Sequence, residues 1–115
     1  MATDSVAKEK SMAFSIRIVR LYRYLTTEHK EFVLSKQILR SGTSIGANIA
    51  EAIYGSSRKD FVAKLQIALK ECAETLYWLE LLHSCDYISV QMYQSLFDDC
   101  ETLRKILSSS VKSSQ

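Results

Sequence analysis

The sequence predicts an all-α fold, an antiparallel up-down-up-down four-helix bundle, and three observations carry that prediction. Its 115 residues include no proline and only three glycines, Gly42, Gly46 and Gly55, so almost nothing interrupts regular backbone. Four stretches repeat their apolar residues at the 3.6-residue helical period. The connections between them are short, so each helix must reverse on the last and pack beside it. A chain of this length that is 47% hydrophobic buries one continuous core and is too small for two stable domains.

The first helix is expected over about residues 5–27, with Phe14, Ile18, Leu21 and Leu25 as its buried stripe. The second is expected over 32–54, where Ile38, Gly42, Ile45, Ile49 and Ile53 alternate in steps of four and three. The third, over 58–83, opens on Ser57, whose hydroxyl can cap the Asp60 amide while the Asp60 carboxylate reaches back. Its core face is Phe61, Leu65, Ala68, Cys72, Leu76 and Leu79. Ser89 can cap the fourth, over 90–108, with Met92, Leu96, Cys100, Leu103 and Leu107 inside. Residues 109–115 are small and polar and are expected to fray.

Cys72, Cys85 and Cys100 form an odd set without C-x-x-C spacing, which argues against a disulfide framework or a zinc site. The N-terminus lacks the apolar core of a signal peptide and no run is long enough to span a bilayer, so a cytoplasmic location without membrane contact is expected. Net charge is +2. Residues 1–30 hold six Lys and Arg against three acids, the middle of the chain balances, and residues 85–115 come to minus one, so the positive excess is assigned to the first helix.

Two helices are apolar on a second side. Met12, Ile16 and Val19 lie opposite the core stripe of the first helix by the 100-degree step, as do Ile67, Trp78 and Leu81 on the third, with Glu71 and Glu74 beside them. Scattered apolar surface residues are ordinary, but two stripes fit self-association better, and these eight residues are the expected subunit contact.

Lys10, Arg17, Arg20 and Tyr24 share a face of the first helix, with Arg23 at its margin. Cations beside an aromatic ring can hold a phosphate backbone and stack on a base, although a solvated polar face is the commoner use of such a pattern. Glu80 and His83 have the E-x-x-H spacing of di-iron bundles, but His29 has no glutamate three residues before it to complete a second pair. A metal-dependent enzyme is therefore the weaker alternative, and no serine elbow, phosphate loop or histidine general base is recognisable. Cys72 and Cys100 fall on apolar faces as small core residues. No enzymatic activity, metal, cofactor or small-molecule substrate is expected.

The stretch from Arg40 to Ala52 is crowded with small residues that lower helix propensity, which a close approach of backbones would offset. R-S-G-T-S-I-G-A-N-I-A-E-A at 40–52, followed by S-x-K-D-F-x-x-K-L-x-I-A-L-K-E-C-x-E-T-x-Y-W-L-E-L-L from Ser57 to Leu82, resembles the four-helix-bundle family of bacterial 23S rRNA intervening-sequence proteins. The resemblance is close over the second and third helices and a matter of pattern in the other two. It implies a left-handed bundle assembled as a ring, typically a pentamer, without enzymatic activity. A similar bundle is the accessory protein of diversity-generating retroelements, which implies RNA or a reverse transcriptase as partner. Carried over by position, Arg40, Ser44, Asn48 and Glu51 are the recurrent polar residues of the second helix, and Glu71, Glu74 and Trp78 those of the third. Ala52 stands where many members have glycine. A bundle binding only protein partners is the other reading of the same pattern.

Overall fold

The structure is a computed structural model that describes residues 2–115, with side chains from residue 5 onward. Four helices follow one another: α1 (Ala2–Glu28), α2 (Leu34–Ile53), α3 (Arg58–Ser84) and α4 (Val90–Ser114). Each packs on its neighbour in sequence, and α4 closes on α1 over a shorter stretch than the other pairs. Among the described residues the backbones of the diagonal pairs, α1 with α3 and α2 with α4, do not come close. The result is an up-down bundle about 44 Å long and 20 Å across.

The expected stripes form the core. Phe14, Ile18, Leu25, Ile38, Ile45, Ile49, Leu79, Leu103 and Leu107 are all but sealed from solvent, with Cys72 and Cys100 among them. The Cys100 thiol lies 3.7 Å from the Cys72 carbonyl oxygen, which sets these two residues level on α3 and α4. That hydrogen-bonded pairing with Cys72, together with burial, pushes the Cys100 thiol far above its ordinary range, so it is an inert packing group.

The small residues on α2 make room for side chains of α1. A Cβ at Gly42 would sit 2.8 Å from the Ile18 side chain, and one at Gly46 would sit 3.2 Å from the Ser15 hydroxyl, so α1 lies directly against these glycines. On the other flank of α2, the buried Ser41 and Thr75 hydroxyls bond to each other at 2.9 Å, joining α2 to α3.

Caps account for three helix starts. The Ser57 and Ser89 hydroxyls accept from the Asp60 amide at 3.0 Å and the Met92 amide at 3.1 Å. The Asp60 carboxylate makes no bond back to Ser57; its Oδ2 lies over Gly55, where a Cβ would meet it. α2 starts two residues later than expected because Glu31 takes the capping role from outside the helix, accepting from the amides of Val33, Leu34 and Ser35 at 3.2, 3.0 and 2.7 Å.

The largest departure from expectation is at the C-terminus. Residues 109–114 do not fray but continue α4 to Ser114, and Ser110 and Val111 are buried. The run of serines is helical because the apolar spacing of Leu103 and Leu107 extends to Val111, which packs on the core.

Candidate functional site

Long helices laid side by side leave three surfaces with distinct chemistry: the α1–α4 seam, the α2–α3 seam, and the outer faces of α1 and α3. The α1–α4 seam holds the basic residues expected to meet nucleic acid. Arg17, Arg20, Leu21, Tyr24, Met92 and Leu96 line an open groove of about 340 Å³. Lys10 lies further along the seam, in a smaller cleft of about 130 Å³ with Ala13, Phe14, Asp99, Thr102 and Leu103.

Within that groove Arg17 is committed to its own chain. Its guanidinium donates to the Asp99 carboxylate at 2.6 Å and to the Ser95 hydroxyl at 2.9 Å, pinning α1 to α4. Tyr24 is likewise engaged, its hydroxyl 3.1 Å from His29 Nε2, and the His29 ring sits edge-on to both Tyr24 and Tyr87. Arg20 and Arg23 are exposed and have no acidic partner among the described residues. The α1 face therefore offers fewer open cations than its sequence suggests.

Along the α2–α3 seam the positions marked by the family resemblance come together. Arg40 donates to Glu74 at 2.6 Å and to Glu71 at 3.2 Å, and the Trp78 indole donates to Glu74 at 3.3 Å. The bond to Glu74 is the main reason the Arg40 guanidinium is raised above its ordinary value, and the same bond holds Glu74 below its own. Glu51 pairs with Lys64 at 3.3 Å. Ser44 donates to the Arg40 carbonyl and Asn48 to the Ser44 carbonyl, so both satisfy α2 itself. Glu71 and Glu74, expected at a subunit contact, are held within one chain, and the polar edge is a clamp between two helices.

The outer faces carry apolar side chains in the open. Met12 is 62% exposed and Ile16 45% on α1, and Ile67 is 41% exposed on α3; Val19, Trp78 and Leu81 are half-buried. Since α1 and α3 are diagonal, the two patches lie on opposite sides of the bundle.

His83 is half-buried, its ring stacked on Tyr93 with centroids 4.6 Å apart. Its Nδ1 is buried without a hydrogen-bond partner. Glu80 points to solvent, and no group of three or more His, Cys, Asp and Glu that could hold a metal ion gathers among the described residues. No helix of the described residues is long and apolar enough to cross a membrane.

One basic cluster was missed. Arg104, Lys105, Ser108, Ser109 and Lys112 surround a shallow concavity of about 250 Å³ on the end of α4. The only sequence signal is the spacing of its three cations over the last turns, which expectation of a frayed tail obscured.

Comparison with known proteins agrees with this architecture. No curated protein matches the chain. It is similar to the crystal structure of a protein of unknown function from the S23 ribosomal protein family, from Bacteroides thetaiotaomicron VPI-5482. The two share 56% identity and superpose with a TM-score of 0.95, over 96% of this chain and 98% of that one. Residues 3–109 match the 23S rRNA-intervening sequence proteins, and the chain belongs to that family.

Proposed function

We propose that this protein is a non-enzymatic, homo-oligomeric scaffold, pentameric as the family resemblance implies, that contacts RNA or an enzyme acting on nucleic acid, such as a reverse transcriptase, in the cytoplasm. The observation that carries the reading is the pair of apolar patches on diagonal helices, the exposed Met12 and Ile16 on α1 and the exposed Ile67 beside the half-buried Trp78 on α3. Two unlike patches on opposite sides suit a head-to-tail contact, in which the α1 face of one subunit covers the α3 face of the next, and such contacts form a ring when the rotation from one subunit to the next divides a full circle. Burying these side chains removes apolar surface that a single bundle leaves in water.

Two further observations support the absence of catalysis. The buried Cys100 thiol is inert, and Arg17 and Arg40 are held in ion pairs between helices. Light scattering at micromolar concentration tests the scaffold: a mass near five times 13.1 kDa is expected. Met12→Glu with Ile16→Glu should reduce it to the single-chain mass while leaving helicity intact, since both residues are exposed. A monomeric wild-type protein would remove the proposal.

A further inference from the structure

The four helices sort charge along the bundle in a way no single helix displays. Contacts between helices set which residues are level: Gly46 with Ser15 and Ser11, Glu51 with Lys64, Cys72 with Cys100, and Arg17 with Asp99. A plane through these levels divides the residues with described side chains into 5–14, 46–70 and 101–115 on one side, and 15–45 and 71–100 on the other. The first half holds nine Lys and Arg against four Asp and Glu, and the second six against eight. The bundle is thus positive at the end where α3 starts and α4 finishes, and negative at the other.

Within the positive half the cations are concentrated on α3 and α4. Lys59, Ala63, Gln66 and Lys70 recur at steps of four, three and four, all exposed, so they form one stripe about 16 Å long without an acid in it. Lys70 is level with Thr102, half a turn before Arg104, and the concavity of Arg104, Lys105 and Lys112 with the Ser108 and Ser109 hydroxyls begins there and continues along α4. Arg104 is paired with Glu101; Lys59, Lys70 and Lys105 have no acidic partner among the described residues. The α3 stripe continues through Ala73 to Tyr77, a residue 57% exposed.

From this arrangement we infer that the α3–α4 surface, on the α4 side of the Ile67 and Trp78 patch given above to the neighbouring subunit, is the principal nucleic-acid contact and takes a single strand, with phosphates along Lys70, Lys105 and Lys112 and a base on Tyr77. The inference rests on the nucleic-acid part of the function proposed above, and moves the contact off the α1 face, where Arg17 is held by Asp99. Open lysines beside serine hydroxyls release counterions on meeting a phosphate backbone, and an exposed aromatic ring gives a base a face to stack on. A duplex, with its bases already stacked, cannot use that ring.

The test is fluorescence anisotropy with a labelled 20-nucleotide single-stranded RNA and a duplex of the same length, across a salt series, using the full chain. Lys70→Glu with Lys105→Glu and Lys112→Glu should weaken single-strand binding at least tenfold and flatten the log–log salt slope by about two. Arg20→Glu with Arg23→Glu should change affinity less than twofold. Tyr77→Ala should weaken the single strand several-fold and leave the duplex unchanged. The reverse ranking of the two charge variants overturns the assignment of the surface while keeping nucleic-acid binding. An equal effect of Tyr77→Ala on both probes, or none, overturns the single-strand assignment. Absence of binding by the wild-type protein at low salt overturns both this inference and the function on which it rests. All five charged positions and Tyr77 are exposed, so circular dichroism should report unchanged helicity in every variant.

Discussion

Gly42 and Gly46 lie one helical turn apart on α2 and face the same neighbour, yet substitution should separate them. An added Cβ at Gly42 meets two carbons of Ile18 at 2.8 and 2.9 Å, and Ile18 is sealed in the core with nowhere to move. Overpacking of this kind costs about 1–3 kcal/mol, more than the ~1 kcal/mol that alanine gains in helix propensity. At Gly46 the nearest atom is the Ser15 hydroxyl at 3.2 Å, which can rotate away. Chemical denaturation should therefore find Gly42→Ala destabilised by about 1–2 kcal/mol and Gly46→Ala neutral or stabilised by up to about 1 kcal/mol. Glu31 is the other single residue with a definite role. Burial raises its pKa, but the amides of Leu34, Ser35 and Val33 lower it by more, leaving it below the ordinary 4.5. On acidification the unfolded chain takes up the proton first, so the stabilisation is complete above about pH 4.5 and is lost as pH falls through the folded value. Glu31→Ala should cost about 1 kcal/mol at neutral pH and less in acid, as read from urea titrations at both pH values.

At the scale of elements, the seams differ in what holds them. α1 meets α2 through the Ile18, Ser15 and Ser11 side chains set against Gly42 and Gly46, α2 meets α3 through the buried Ser41–Thr75 hydroxyl pair and the Arg40 clamp, and α3 meets α4 through the buried cysteines. α1 and α4 share the least contact and depend on Arg17 with Asp99 to span a groove. α4 gains from its last turns, where Val111 covers the core end. Truncation after Ser108 should therefore cost about 1.5–3 kcal/mol, the value of burying a side chain of that size. A chain unaffected by that truncation would show that the last turns contribute nothing. The serines are poor helix formers and by themselves predict fraying; tertiary burial of one valine at the right spacing outweighs them.

For the whole molecule, assembly and charge are the open properties. If subunits cover one another's apolar faces, association stabilises the folded state by mass action, and the melting temperature should rise with protein concentration over a hundredfold range. A constant melting temperature would argue that the exposed Met12 and Ile16 face water in the working protein. The separation of charge along the bundle gives a ring of such subunits one basic rim, since every copy in a cyclic assembly points the same way. That multiplies the local field without any change in the modest net charge of one chain.

Helix number, helix order and the residues of the core were legible in the sequence, because periodicity records which face of a helix is dry and short connectors force antiparallel neighbours. Ser57 and Ser89 were legible as caps for the same local reason. Partnership across helices was not. Arg17 and Asp99 are far apart in the chain, as are Arg40 and Glu74, and nothing local says that each cation is already satisfied. Nor could a linear count of charge, which assigned the positive excess to the first helix, find a basic end assembled from α3 and α4. Local sequence determines which residues face inward, because that depends on spacing along one helix. Which charges meet, cancel or accumulate was decided only by tertiary structure, because that depends on the register between helices.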